Sequence, residues 1–150
     1  MAKPFKTVAA LMKKMEDRLT IDAVDNAHLL VTRATLMVES EAKQSLARGG
    51  QGRIYQKYNP RSEHRASAPN QPPATDTGFL AANIGVNVRK EKAHGRVIGQ
   101  VISKAPYSAA LEFGTKDMLA LGGPRPFMQP ALQSKKAAIK RLFKGSGVLK

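Results

Sequence analysis

"NIGVNVRKEKAHGRVIGQVIS", residues 83–103, decides the fold class. Ile84, Val86 and Val88 alternate with small or polar residues, the period of a strand with one buried face. Glu91–Gly95 supply a polar turn, and the returning segment puts Val97 and Val101 on one face and Ile98 and Ile102 on the other. The stretch therefore predicts a β-hairpin whose second strand is apolar on both sides. Such a strand needs two covers, and in so small a chain the second is expected from another subunit.

The first 48 residues predict helix. Phe5, Val8, Leu11, Met12, Met15 and Leu19 fall at helical spacing over residues 5–19. Thr20 is the expected N-cap of a second helix, with Asp22 in its first turn. No Gly or Pro interrupts residues 21–48, where Val24, Ala27, Val31, Ala34, Val38, Ala42 and Leu46 form one stripe widened by Leu30 and Met37. Such a helix would span roughly 40 Å, long enough to lie across a sheet or to reach a neighbouring subunit. Gly49-Gly50 end it, and "RIYQKY", residues 53–58, follows as a strand.

Residues 59–75 hold four prolines and almost no apolar mass, which predicts an extended strap stiffened by Pro69, Pro72 and Pro73. Asp76 is the expected cap of a short helix, "TGFLAANI". After the hairpin, "APYSAALEF" predicts a helix with Pro106 in its first turn and Gly114 as its stop. Residues 116–127 predict a loop or arm. Pro130 opens a final helix, 130–143, with Leu132, Ile139, Leu142 and Phe143 on one side and Lys135, Lys136, Lys140, Arg141 and Lys144 on the rest. Residues 145–150 are an expected flexible tail. The fold class is α+β in a single domain, 1–150: a long N-terminal helix packed on a small, mainly antiparallel sheet, with a proline-rich strap and a basic C-terminal helix.

The 25 Lys and Arg against 11 Asp and Glu leave a formal charge of +14, and residues 125–150 hold seven of the bases and no acid. Such a balance favours a polyanion, an acidic protein surface or an anionic membrane as partner and is silent about fold. The chain has no cysteine, which rules out a disulfide framework and thiolate metal sites. No stretch approaches the ~20 apolar residues of a membrane span, and the apolar run Thr7–Met12 is short for a signal peptide, so a soluble protein made inside the cell is expected.

No catalytic constellation emerges. Gly49-Gly50-Gln51 matches the catalytic triplet of peptidyl-tRNA hydrolases, which would make Gln51 the key residue of a ribosome-binding enzyme. Its position at the end of an amphipathic helix reads better as a helix stop. His28, His64 and His94 lie on three different segments without metal-ligand spacing. No cofactor or metal is expected. Few aromatics and no Trp leave little for base stacking, so nucleic-acid contact would be to phosphates and without sequence preference.

Three stretches in register are similar to one family. They are "HRASAPNQPPATDTGFLAANI" (64–84), "APYSAALEFGT" (105–115) and "RPFMQPAL" (125–132). They resemble the tail-completion and neck proteins of long-tailed double-stranded DNA bacteriophages. The family's Ser-Ala-Pro-Gly-x-Pro-Pro strap falls on Ser67–Pro73, and its Asp-Thr-Gly-x-Leu turn on Asp76–Leu80. Its Tyr-x-x-x-x-Glu-Phe-Gly-Thr helix end falls on Tyr107–Thr115, and its Arg-Pro-Phe-x-x-Pro-Ala helix start on Arg125–Ala131. Asn70 replaces the usual glycine and tolerates the same left-handed backbone, while 117–124 is longer and more glycine-rich than the usual link.

The resemblance implies a structural virion protein, not an enzyme, made in the host cytoplasm and present in several copies about the tail axis. A hexameric ring is implied, with the tail terminator or tail tube on one side, a head-side connector on the other, packaged DNA in the lumen and no membrane. A tail-terminator ring is the nearest alternative. The implied subunit or partner contacts are Arg65, Pro69, Pro72, Pro73, Asp76, Thr77, Gly78, Glu112, Phe113, Gly114, Thr115, Arg125, Pro126 and Phe127. Lys135, Lys136, Lys140, Arg141 and Lys144 are the implied DNA- or tube-facing bases. Phe113 and Phe127 are expected to anchor the motifs in the core or at a joint, and Arg125 to pair with Glu112 within or between subunits.

Overall fold

The structure, a computed structural model, describes residues 8–58, 61–91, 95–120 and 122–146. Expectations about Phe5, residues 59–60, residues 92–94 of the turn with His94, Leu121, and residues 147–150 of the tail lie outside the described residues.

The two expected N-terminal helices are one. α1 runs unbroken from Val8 to Ala47, 40 residues, or roughly 60 Å. Thr20 ends nothing, because a threonine inside a helix costs only about 0.5 kcal/mol, less than breaking the backbone ladder. Gly49, at φ 80°, takes the left-handed position after the helix end as expected. β1 (Ile54–Tyr58) pairs antiparallel with β2 (Arg61–Arg65). The strap is therefore shorter than expected, since residues 61–65 are strand. "RSEHR" alternates polar side chains and shows no buried face, so hydropathy gave no sign of it.

α2 is a single turn, Phe79–Ala82. β3 (Ile84–Glu91) and β4 (Arg96–Ser103) form the expected antiparallel hairpin, with Val86 opposite Val101 and Val88 opposite Gly99. The two hairpins are separate two-stranded sheets. Then come α3 (Ser108–Phe113), a short α4 (Lys116–Ala120) inside the expected arm, and α5 (Met128–Gly145). The α+β class stands.

The C-terminal half of α1 is the spine, with β3–β4 and α5 packed on it. The core gathers Val38, Ala42 and Leu46 from α1, Leu80 from α2, Ile84 from β3, Ala105, and Phe127 and Ala131 at the start of α5. Gly99 permits the hairpin's approach: a Cβ there would lie 2.5 Å from both Val31 Cγ1 and Thr35 Cγ2. The Gly99 face thus lies on α1. On the opposite face Ile102 stays exposed, so the chain does not supply the full second cover that the strand's pattern calls for.

Candidate functional site

The three motifs meet in one place, two of them through Glu112. Its Oε2 accepts the backbone N–H of Phe127 (2.9 Å) and of Met128 (3.0 Å), and its Oε1 accepts that of Gln129 (2.8 Å). A helix begins with four N–H groups that lack intrahelical partners. Three of them here are taken by one carboxylate, and the fourth position is Pro130, which has no N–H. The negative charge also lies at the positive end of the helix dipole. The Glu-Phe-Gly-Thr and Arg-Pro-Phe-x-x-Pro motifs are thus two halves of one helix cap. That is why α5 starts at Met128, two residues before the expected start at Pro130.

Glu112 is therefore not joined to Arg125, and no ion pair links them among the described residues. The Arg125 backbone N–H donates to the Leu111 carbonyl (2.8 Å), and its Nε donates to the Ser67 carbonyl in the strap (3.3 Å). The strap is fastened along its length. Asn70, at φ 62°, takes the left-handed conformation expected of it and donates its N–H to the Pro124 carbonyl (2.8 Å). Pro69 packs against Gly122, Pro72 is half-buried and Pro73 is buried. Thr75 uses both its N–H (3.2 Å) and its Oγ1 (3.0 Å) on the Leu46 carbonyl, satisfying a group freed by the end of α1. Strap and arm lie on each other within the chain.

Asp76 does not cap α2. Gly78, at φ 78°, holds the cap position without a side-chain bond there, while Thr77 Oγ1 accepts the Phe79 N–H at 3.3 Å. The Asp76 carboxylate pairs instead with Lys57 of β1 and lies 4.0 Å from His64 of β2, tying the first hairpin to the strap. Thr115 Oγ1 accepts the Met118 N–H (3.3 Å) at the start of α4, and the Gly114 N–H donates to the Ala110 carbonyl (2.8 Å) as the stop of α3. Pro126 is half-buried, and Arg65 is exposed at the end of β2. Phe127 is 1% exposed, as a core anchor should be, but Phe113 is 76% exposed and is no part of the core.

The Gly-Gly-Gln triplet is built into this junction. A Cβ on Gly50 would come within 2.1 Å of the Ala66 carbonyl oxygen, and one on Gly52 within 2.6 Å of that of Ser67. The Gln51 Oε1 accepts from Gln71 Nε2 at 3.1 Å. These glycines allow two backbones to touch.

One polar element escaped sequence reading. Glu41, buried on α1, accepts hydrogen bonds from Arg48 Nη2 and Lys135 Nζ, both at 2.9 Å, and so ties α1 to α5. The bond from Lys135 holds its carboxyl below the usual carboxylate range, against burial, which raises it; Arg48 adds to the lowering. A carboxylate set between Val38 and Ala42 on an apolar stripe was the available signal, since a charge there needs a partner. Lys135 is thereby a bridge from α5 to α1. Lys136, Lys140, Arg141 and Lys144 are exposed, as expected.

Two of the apolar surfaces left uncovered among the described residues lie on α1 and beside α5. The first is the N-terminal stretch of α1, where Val8, Leu11, Met12, Met15 and Leu19 are all exposed. The second is a groove of about 500 Å³ between α1, β4 and α5, lined by Val31, Val38, Val101, Met128, Leu132, Ile139 and Phe143, with Phe113 at its edge.

Residues 9–114 match the family described as "Bacteriophage HK97-gp10, putative tail-component". The chain belongs to the HK97-gp10-like family. The match takes in most of α1, both hairpins and the Glu112 half of the cap, and ends before α5. It places the chain among bacteriophage tail components, which belong to the virion. The resemblance read from the motifs and the family match thus agree at that level. Neither the curated proteins nor the solved structures contain a match. Among the described residues, no helix of this HK97-gp10-like chain is long and apolar enough to cross a membrane.

Proposed function

We propose that this tail component is a structural subunit of the head–tail junction, present in several copies about the tail axis, which completes the tail and joins it to the head. One observation carries the reading. Three polar motif residues take part in construction: Glu112 in a helix cap, Asp76 in a hairpin tie and Gln51 in a strap contact. What the chain presents outward is apolar stripe, apolar groove and a row of bases, the assets of an assembly protein and not of an enzyme. The partners of this reading are copies of itself in a ring, the tail tube or its terminator, and a head-side connector. Lys136, Lys140, Arg141 and Lys144 would face packaged DNA or an acidic tube surface.

Electron microscopy of a lysate from phage with this gene disrupted tests it. Full heads beside separate tails of normal length are expected. Overlong tubes would replace joining by termination of tail growth. Normal infectious particles would remove the reading, and hydrolysis of peptidyl-tRNA by the purified chain, lost in Gln51→Ala, would replace it with the enzyme.

A further inference from the structure

Two exposed surfaces carry several bases, and they differ in what lies among the charges. On the first hairpin, Ile54, Gln56 and Tyr58 of β1 share an exposed face with Arg61, Glu63 and Arg65 of β2. Glu63 stands between the two arginines and offsets half of their charge. On α5, Lys136, Lys140 and Lys144 are four residues apart, with Arg141 beside them, and the helix carries no acid. At about 100° per residue these four fall within about 140° of the helix surface, in a row roughly 12 Å long. Gln129, Pro130, Gln133 and Ala137 fill the rest of that sector, and the whole sector is exposed. Lys135 is on the opposite side, bonded to Glu41. Among the described residues none of the four bases of the row is in an ion pair. A base near a helix C-terminus offsets the helix dipole, which accounts for Lys144 in the last turn. It does not account for Lys136, in the middle of the helix.

We infer that this sector of α5 holds the backbone of double-stranded DNA through its phosphates, without reading sequence. The core of a protein–protein interface is depleted of lysine and is anchored by buried aromatic or large apolar side chains. The sector has no aromatic and no Leu, Ile, Val or Met to serve as an anchor. Phosphate contacts need none. Lysine, arginine and the side-chain amides of Gln129 and Gln133 all donate to phosphate oxygens, and no carboxylate in the row repels them. Lysine is a compact point charge on a flexible stem, so the contact is loose and allows a duplex to slide past. The inference rests on the junction reading only for where the duplex is met, and it chooses between the two partners which that reading leaves open to these bases.

Fluorescence anisotropy of a labelled short duplex with the purified full-length chain, over a series of salt concentrations, tests it. Binding is expected at low salt, equal for two duplexes of unrelated sequence and falling steeply as salt rises. Replacing the row together (Lys136→Gln, Lys140→Gln, Arg141→Gln, Lys144→Gln) should weaken binding by about tenfold or more and lower the slope of log affinity against log salt by about three to four. Lys140→Gln alone should lower that slope by about one, and reads the same row should the combined variant unfold. Lys136→Arg, Lys140→Arg and Lys144→Arg together should keep both affinity and slope. Arg61→Gln with Arg65→Gln on the hairpin should weaken binding by less than the combined α5 variant does. Failure of the wild-type chain to bind duplex, or a slope unchanged by the α5 substitutions, overturns the inference. A larger loss in the hairpin variant also overturns it, as does tighter binding of poly-glutamate than of duplex, which would assign the row to an acidic protein surface. None of these results touches the junction reading, which stands or falls on the particles of the gene-disrupted phage; normal particles there would leave duplex binding by the purified chain as measured.

Discussion

The two ends of α1 carry similar apolar rows and meet opposite fates. From Leu30 to Leu46 the row Leu30, Ala34, Val38, Ala42, Leu46 is buried by the chain's own hairpin, strap and C-terminal helix. From Val8 to Leu19 the row lies outside everything the chain folds around, with Leu19 68% exposed. Periodicity is therefore evidence that a helix face seeks a cover, and says nothing about whose cover it is. The covered end also uses smaller residues, alanines at 34 and 42, where β-strand and helix approach closely. The uncovered end uses Met12 and Met15, which adapt to irregular partners.

The largest expected effect breaks the comparison most directly. Leu46→Ala opens a cavity in the core and should cost about 3–5 kcal/mol in urea unfolding. Leu19→Ala, measured on dilute monomer, should cost under about 0.5 kcal/mol. Equal costs would mean that the N-terminal row is already part of the folded core.

Glu112→Ala comes next, with an expected loss of about 2–4 kcal/mol, since three N–H groups at the start of α5 lose a charged acceptor together. Glu112→Gln keeps an acceptor oxygen and should lose about half as much. Equal loss for the two variants would assign the effect to charge alone. The core end of the comparison depends on this cap, because it seats Phe127 and Ala131 against Leu46 and its neighbours.

Glu41→Gln should cost about 1–2 kcal/mol at neutral pH, modest because Arg48 is largely exposed and Lys135 partly so. The sign of its pH dependence follows from the lowered carboxyl. Native Glu41 holds its proton less tightly than the unfolded chain does, so its contribution is complete above the ordinary carboxylate range and is lost as pH falls through the lowered value. Unfolding of wild type and variant should therefore converge in acid. A gap that persists there would assign Glu41 a packing role instead of an ionic one.

Sequence legibility followed the range of the interactions. The β3–β4 hairpin, the glycine stop at Gly49, the left-handed Asn70 and the helix after Pro106 were readable because each rests on neighbours a few residues apart. The start of the strap was misjudged because β2 has no apolar face and exists by pairing with β1. Thr20 looked like a cap because an N-cap signal is local, whereas continuation of the helix depends on what lies on both sides of it. Asp76 was assigned to the nearest helix, while its partners Lys57 and His64 come from a hairpin earlier in the chain.

By itself the sequence determined the type of most helices and strands, the class α+β, the charge carried on α5 and, through three motifs in register, the phage tail family. These depend on periodicity, backbone conformation and residue identity, which act along the chain. Only the tertiary structure decided that Glu112 caps α5 instead of pairing with Arg125, that Lys135 is bound to Glu41, that Phe113 faces outward and that the Val8–Leu19 stretch of one long helix goes uncovered. Those outcomes turn on which carboxylate reaches which donor and which apolar row finds a cover, and such choices are settled by distance in space between residues far apart in sequence.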